Sequence, residues 1–140
     1  MVGPATLIPP EAPAWGAEVS HDLDGVLPKA DVCYMLRVQR ERQRQQFFPS
    51  VREYSRLFGL SRARVEALPE NALIMHPGPM NRGVEIASDV ADLPRAVITD
   101  QVTNGIAVRM SLLYLMLGGA RSADAANAEE PATAEEVARA

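Results

Sequence analysis

Cysteine is nearly absent: Cys33 stands alone among 140 residues. No intrachain disulfide can form, and a lone cysteine in an apolar run serves as a small hydrophobe. This fits a reducing compartment such as the cytoplasm. Aromatics are scarce as well, with three Phe, three Tyr and one Trp. The core must therefore be mostly aliphatic. Positive charge is in deficit, and the net charge is −4. That excludes a global attraction to nucleic acid or acidic membranes. Long apolar runs are missing too. The longest, residues 106–117, is too short to span a bilayer and contains Arg109. Met1 is followed by Val-Gly-Pro, not by a basic stretch and an apolar segment, so no signal peptide is expected.

What is present suits one domain of ordinary size, since 47% of the residues are apolar. Charge is uneven. Residues 37–66 hold eight arginines against three glutamates, whereas the C-terminal tail is acidic. The basic window lacks interleaved aromatics suited to base stacking, so a nucleic-acid partner is not expected.

Proline crowds the first fifteen residues, at positions 4, 9, 10 and 13. Only Met1-Val2-Gly3 precedes them, too little for a strand. The chain is expected to begin at the tail end of one. Glu18–His21 is a possible short strand, and Asp22–Leu27 a brief helix stopped by Pro28. Asp31-Val32-Cys33-Tyr34-Met35-Leu36 is nearly all apolar, which predicts a strand buried on both faces of a parallel sheet. Ser50 with Glu53 forms a capping box for a helix over 50–58, ended by Gly59. Ser61 caps a second helix through Leu68. Ala72–Met75 predicts another buried strand, and Ala96–Thr99 a third. The last helix is expected from Asn104 to the Gly118-Gly119 pair, apolar nearly all round and so in need of cover. Residues 119–140 lack apolar periodicity and predict a disordered tail. The fold class is α/β, an open parallel sheet with flanking helices.

Two segments can carry chemistry. Arg37-Val38-Gln39 follows the first buried strand, at the end of the sheet where α/β folds bind ligands. In an extended segment residues 37 and 39 point to the same side. A guanidinium fork there can grip a carboxylate with two charge-assisted hydrogen bonds. Glu41 is close enough to orient an arginine. Spacing alone also fits a solvated basic stretch making surface ion pairs. The second segment is His76-Pro77-Gly78-Pro79. Its prolines remove two backbone donors and fix φ, and Gly78 permits close approach to the main chain. Carbonyls held this way can accept from a substrate amino or amide group. A stiff turn joining two elements fits the same residues.

Together the segments are more specific. Leu36-Arg37-Val38-Gln39-Arg40-Glu41-Arg42, Met75-His76-Pro77-Gly78-Pro79-Met80-Asn81-Arg82-Gly83-Val84-Glu85-Ile86 and Gln101-Val102-Thr103-Asn104-Gly105-Ile106-Ala107-Val108-Arg109-Met110 occur in that order. They resemble the aspartate carbamoyltransferases, and so does Val19-Ser20-His21-Asp22-Leu23. The resemblance covers roughly residues 1–118 and implies the second, aspartate-binding domain of that fold, incomplete at its N-terminus.

The resemblance implies a reaction. The α-amine of L-aspartate attacks carbamoyl phosphate, phosphate leaves, and N-carbamoyl-L-aspartate enters pyrimidine synthesis. No cofactor or metal takes part. Arg37 would bind an aspartate carboxylate, with Gln39 assisting and Glu41 supporting Arg37. The main chain of Pro77, Gly78 and Pro79 would meet the carbamoyl group and the amine. Residues 40–49 would match a loop that closes over substrates. His21 and His76 match no catalytic histidine of the family. Its phosphate-binding Ser-Thr-Arg-Thr motif and its catalytic histidine belong to the family's first half, and a second aspartate-binding arginine normally precedes the strand at whose tail end Met1 is expected to lie. None has a match in these residues. The expected partner is that carbamoyl-phosphate-binding half, within a homotrimer in the full enzyme. Alone, the chain is expected to be inactive. The alternative is a stand-alone, non-catalytic domain that binds a dicarboxylate weakly.

Overall fold

The computed structural model describes residues 1–39 and 48–128, with side chains to residue 118. The chain divides into two compact units, Met1–Val102 and Thr103–Ala140.

In the first unit, a parallel bridge joins Val2 to Ser20. It is closed by Ser20 N–H to Met1 O (2.9 Å) and Gly3 N–H to Ser20 O (3.3 Å). The strand expected around Glu18–His21 is thus a single bridge. His21 holds it in place, with Nδ1 2.7 Å from the Gly3 carbonyl. The proline-rich stretch between them forms a short 3-10 turn, Ala12–Trp15.

The helices α1 (Leu23–Val26), α2 (Val51–Phe58) and α3 (Arg62–Ala67) begin where their caps dictate. Asp22, Ser50 and Ser61 each accept from the backbone N–H three residues on. Such a cap satisfies one of the donors a helix start leaves open. Gly59 does end α2, but in extended geometry (φ −73°) rather than left-handed. Its lack of a side chain matters for another reason. A Cβ there would stand 2.5 Å from the Ser55 carbonyl oxygen and 2.6 Å from that of Val84. Glycine is what lets these two backbones approach.

Strands β1 (Val32–Tyr34) and β2 (Leu73–Met75) pair in parallel, Val32 with Leu73, Cys33 with Ile74 and Tyr34 with Met75. The segment read as a third strand contributes one parallel bridge, Ala96 to Ile74. Helix formation takes over at Ile98. A short helix, α4 (Ser88–Ala91), precedes it. Cys33 and Ile74 point into an aliphatic core with Leu27, Leu60, Val65, Ile86 and Val90. Contrary to the expectation of burial on both faces, Val32, Tyr34 and Leu73 are 41–49% exposed. One face of this small sheet is covered and the other is open.

The last helix, α5, runs Ile98–Ala128. It starts six residues before Asn104 and passes through Gly118-Gly119. Asp100 in its first turn suits a helix N-terminus. A glycine within a helix costs ~1 kcal/mol, which its strong helix-forming neighbours outweigh. Residues 119–128, expected in a disordered tail, are therefore helical, while 129–140 lie outside the described residues. Along α5, Ile106, Val108, Met110, Leu112, Leu113 and Leu115 are all more than half exposed.

Candidate functional site

The site lies where β1 and β2 end. Met35 N–H donates to the Met75 carbonyl (2.8 Å), so the two strands leave the sheet side by side. Arg37, Val38 and Gln39 follow β1, and His76 to Pro79 follow β2. Burial alternates along the first segment. Val38 is buried, while Arg37 and Gln39 are partly exposed. Glu41, the expected support for Arg37, and most of the expected closing loop lie outside the described residues.

One side chain joins the two segments. Asn81 Nδ2 donates to the Val38 carbonyl at 3.1 Å, across 43 positions of sequence. The carbonyl it holds lies between Arg37 and Gln39, so Asn81 fixes the backbone from which both side chains spring. Asn81 is fixed in turn through its own N–H, which donates to Glu85 Oε1 at 2.5 Å.

Glu85 is fully buried, and so is His76. His76 Nε2 lies 3.2 Å from Glu85 Oε1. Glu85 is placed by its backbone, whose carbonyl accepts from Leu60 N–H (2.9 Å) within the Leu60–Ile86 bridge. On the other side of the ring, Gly78 N–H donates to His76 Nδ1 at 2.9 Å. The loop therefore wraps around the imidazole. Its start is held from α5, where Gln101 Oε1 accepts from His76 N–H (2.9 Å) and Gln101 Nε2 donates to the Tyr34 hydroxyl (2.9 Å).

Gly78 has φ +63°. An added Cβ would meet only Val102 Cγ2, at 3.8 Å. Conformation, not space, favours glycine there. The Gly78–Pro79 peptide is cis. Pro77 and Pro79 are exposed. Pro77, Gly78 and Pro79 thus present main chain beside the segment bearing Arg37 and Gln39.

Burial pushes the Tyr54 hydroxyl up, with the charge of Glu85 adding to it. Among the described residues, no group of three or more His, Cys, Asp or Glu side chains comes together as a metal site.

Asn81, Glu85 and Gln101 stand inside the motifs quoted above, yet the sequence assigned them no role. One signal was available. Glu85 sits between Val84 and Ile86, and a carboxylate inside an apolar run foretells a buried, hydrogen-bonded one. Nothing local points Asn81 at Val38.

Comparison with known proteins identifies the family. The family model described as the aspartate/ornithine carbamoyltransferase Asp/Orn-binding domain matches residues 12–116. The aspartate carbamoyltransferase catalytic subunit of Acidothermus cellulolyticus is 58% identical over 134 residues, 96% of this chain and 42% of that protein. That of Parafrankia sp. is 59% identical over 119 residues, covering 85% and 38%. The chain thus spans about two-fifths of the length of these relatives. Among solved structures, aspartate transcarbamoylase from Trypanosoma cruzi in complex with carbamoyl phosphate aligns with a TM-score of 0.66 at 28% identity. It covers 81% of this chain and 38% of its own. The same enzyme with N-(phosphonacetyl)-L-aspartic acid aligns at 0.64 and 29% identity, covering the same 81% and 38%. The chain belongs to the aspartate/ornithine carbamoyltransferase family, as its Asp/Orn-binding domain.

Proposed function

We propose that this chain forms the aspartate-binding wall of an aspartate carbamoyltransferase active site. In that reading the wall works with a carbamoyl-phosphate-binding half. The observation that carries the proposal is the Asn81–Val38 hydrogen bond. It holds the segment bearing a guanidinium and an amide beside a loop of exposed main chain. Those are the two kinds of group aspartate needs at its two ends.

The chemistry follows from the groups. Arg37 grips a carboxylate of L-aspartate with a charge-assisted fork, and Gln39 donates from its amide. The Pro77–Pro79 carbonyls accept from the attacking amine and from the NH2 of carbamoyl phosphate. Holding amine and carbonyl carbon in contact converts a bimolecular encounter into an oriented one. The amine adds to the carbonyl carbon, phosphate departs with the electrons of its C–O bond, and the nitrogen loses a proton. The product is N-carbamoyl-L-aspartate, on the route to pyrimidines.

The phosphate needs its own donors, and this chain supplies none at the Pro77–Pro79 loop. The exposed apolar residues of α5 support the same division of labour, since such a helix calls for a covering surface. The chain alone should therefore be inactive.

The test mixes the purified chain with a separately expressed carbamoyl-phosphate-binding half and measures carbamoyl-aspartate formation. Turnover by the mixture and none by the chain alone is expected. Arg37→Ala in the mixture should abolish affinity for an aspartate analogue. Substantial turnover by the chain alone, or none by the mixture, would overturn the proposal.

A further inference from the structure

His76 and Glu85 could be read as a buried ion pair, 3.2 Å apart and both fully buried. The hydrogen bonds argue otherwise. An imidazolium carries protons on both nitrogens. Gly78 N–H already points at Nδ1 from 2.9 Å, so a proton on Nδ1 would set donor against donor. Nδ1 must offer its lone pair. Nε2 then carries the ring proton and donates to Glu85 Oε1, which also accepts from Asn81 N–H. The ring is neutral, in one tautomer, with each nitrogen committed.

The consequence appears along the loop. Pro77 and Pro79 have no N–H. Gly78 N–H is taken by the His76 ring, and His76 N–H by Gln101. Four consecutive residues thus present no free backbone donor. A surface of this kind repels carboxylate and phosphate oxygens and accepts N–H groups.

We infer that His76, held in the Nε2–H tautomer by Glu85, is a positioning residue that strips the Pro77–Pro79 loop of its outward donor, so that the loop takes the nitrogen ends of both substrates and turns their anionic ends away. This rests on the proposed function for the identity of the substrates. The orientation it imposes places the aspartate carboxylates toward Arg37 and the phosphate toward the partner half.

Two arms test it. Only His21 and His76 contribute imidazole signals, so nitrogen-15 spectra of histidine-labelled chain can report the ring directly. The His76 signals should show a protonated Nε2 and an unprotonated Nδ1 at neutral pH, and the Gly78 amide should exchange slowly. A doubly protonated ring, or a proton on Nδ1, would overturn the inference.

The second arm uses the complemented enzyme. His76→Gln can donate to Glu85 but puts no acceptor near Gly78 N–H. His76→Asn places an oxygen near the position of Nδ1. His76→Gln should lower kcat/KM for aspartate about tenfold, the order of one lost hydrogen bond. Binding of succinate, the same dicarboxylate without the amine, should stay within about twofold, because the loop reads nitrogen. His76→Asn should recover most of the loss. Equal impairment of both variants, or a parallel loss of succinate binding, would reduce His76 to a fold-keeping role. If the unmodified enzyme shows no turnover, the proposed function fails, and the ring and amide signals still decide the tautomer.

Discussion

Replacing Asn81 by alanine removes a side-chain bond that ties the Arg37–Gln39 segment to the loop after β2. The Nδ2 donor lies 3.1 Å from the Val38 carbonyl, in a partly buried setting. A hydrogen bond of this kind contributes ~1 kcal/mol net, and a carbonyl left dry costs ~1–3 kcal/mol. Val38 itself is 6% exposed, so water reaches its carbonyl poorly, and a loss of about 1–2 kcal/mol is expected. If that bond fixes the backbone between Arg37 and Gln39, succinate affinity in the complemented enzyme should fall about five- to thirty-fold, the same free energy expressed as a ratio. Urea denaturation of the full chain gives the stability, and calorimetric titration with succinate gives the affinity. Asn81→Asp should be worse than Asn81→Ala, because it aims an acceptor at a carbonyl. The reasoning fails if Asn81→Ala loses stability while succinate binds unchanged. The bond would then support the fold without positioning the site.

Ile74→Ala empties the centre of the core, where Ile74 is fully buried. It should cost ~2–5 kcal/mol in urea denaturation, and a smaller loss would mean the core is displaced elsewhere. Burial pushes the Cys33 thiol up to about 11, so a thiol reagent at neutral pH should modify it only in denaturant. Because its folded value is raised, stability should fall only as pH climbs from the ordinary thiol range through about 11. Asp24 accepts from Arg64 Nε and Nη2, and that hydrogen bonding holds its carboxyl below the usual range. Asp24→Asn should cost at most ~1 kcal/mol at neutral pH, since Asp24 is well exposed. The gap between the two proteins should close as pH falls through the depressed value, and a gap that persisted in acid would point to packing instead. The chain alone at tens of micromolar should associate or aggregate through its exposed apolar surfaces, and a clean monomer in sedimentation would count against that.

What was legible in the sequence was local or repetitive. Ser50 and Ser61 announce their helices because a cap acts across three residues. The runs ending at Leu36 and Met75 announce strands, and the motifs that follow them announce a family. The Gly59 reading found the helix end but missed its cause, since the Val84 carbonyl that a Cβ would meet comes from a distant segment. Ala96–Thr99 was expected as a strand, yet it contributes only the Ala96–Ile74 bridge before α5 begins at Ile98. The links that build the site were the least legible. Asn81 to Val38 spans 43 residues, and His76 N–H to Gln101 spans 25. No periodicity encodes such pairs.

The open face of the sheet makes a related point about what apolar patterning records. Val32, Tyr34, Leu36 and Leu73 read as core residues, yet each is 41–60% exposed. Fully burying one such side chain contributes roughly 1.5–3 kcal/mol. Covering four that are about half exposed would add roughly 3–6 kcal/mol. That is comparable to the whole stability of a small domain. Residues of such value are not left in water by chance. Their pattern encodes a cover that the described residues do not supply, and α5 carries the same message along Ile106 to Leu117. By contrast, most polar groups around His76 find partners within the chain, the exception being Glu85 Oε2, which is buried with no hydrogen-bond partner among the described residues. Gln101 accepts from His76 N–H, Gly78 N–H donates to the His76 ring, and Asn81 N–H donates to the Glu85 oxygen that the ring also meets. The chain therefore builds most of its candidate site internally and leaves much of its apolar surface uncovered. A site organised in this way can be shaped whether or not that surface is covered.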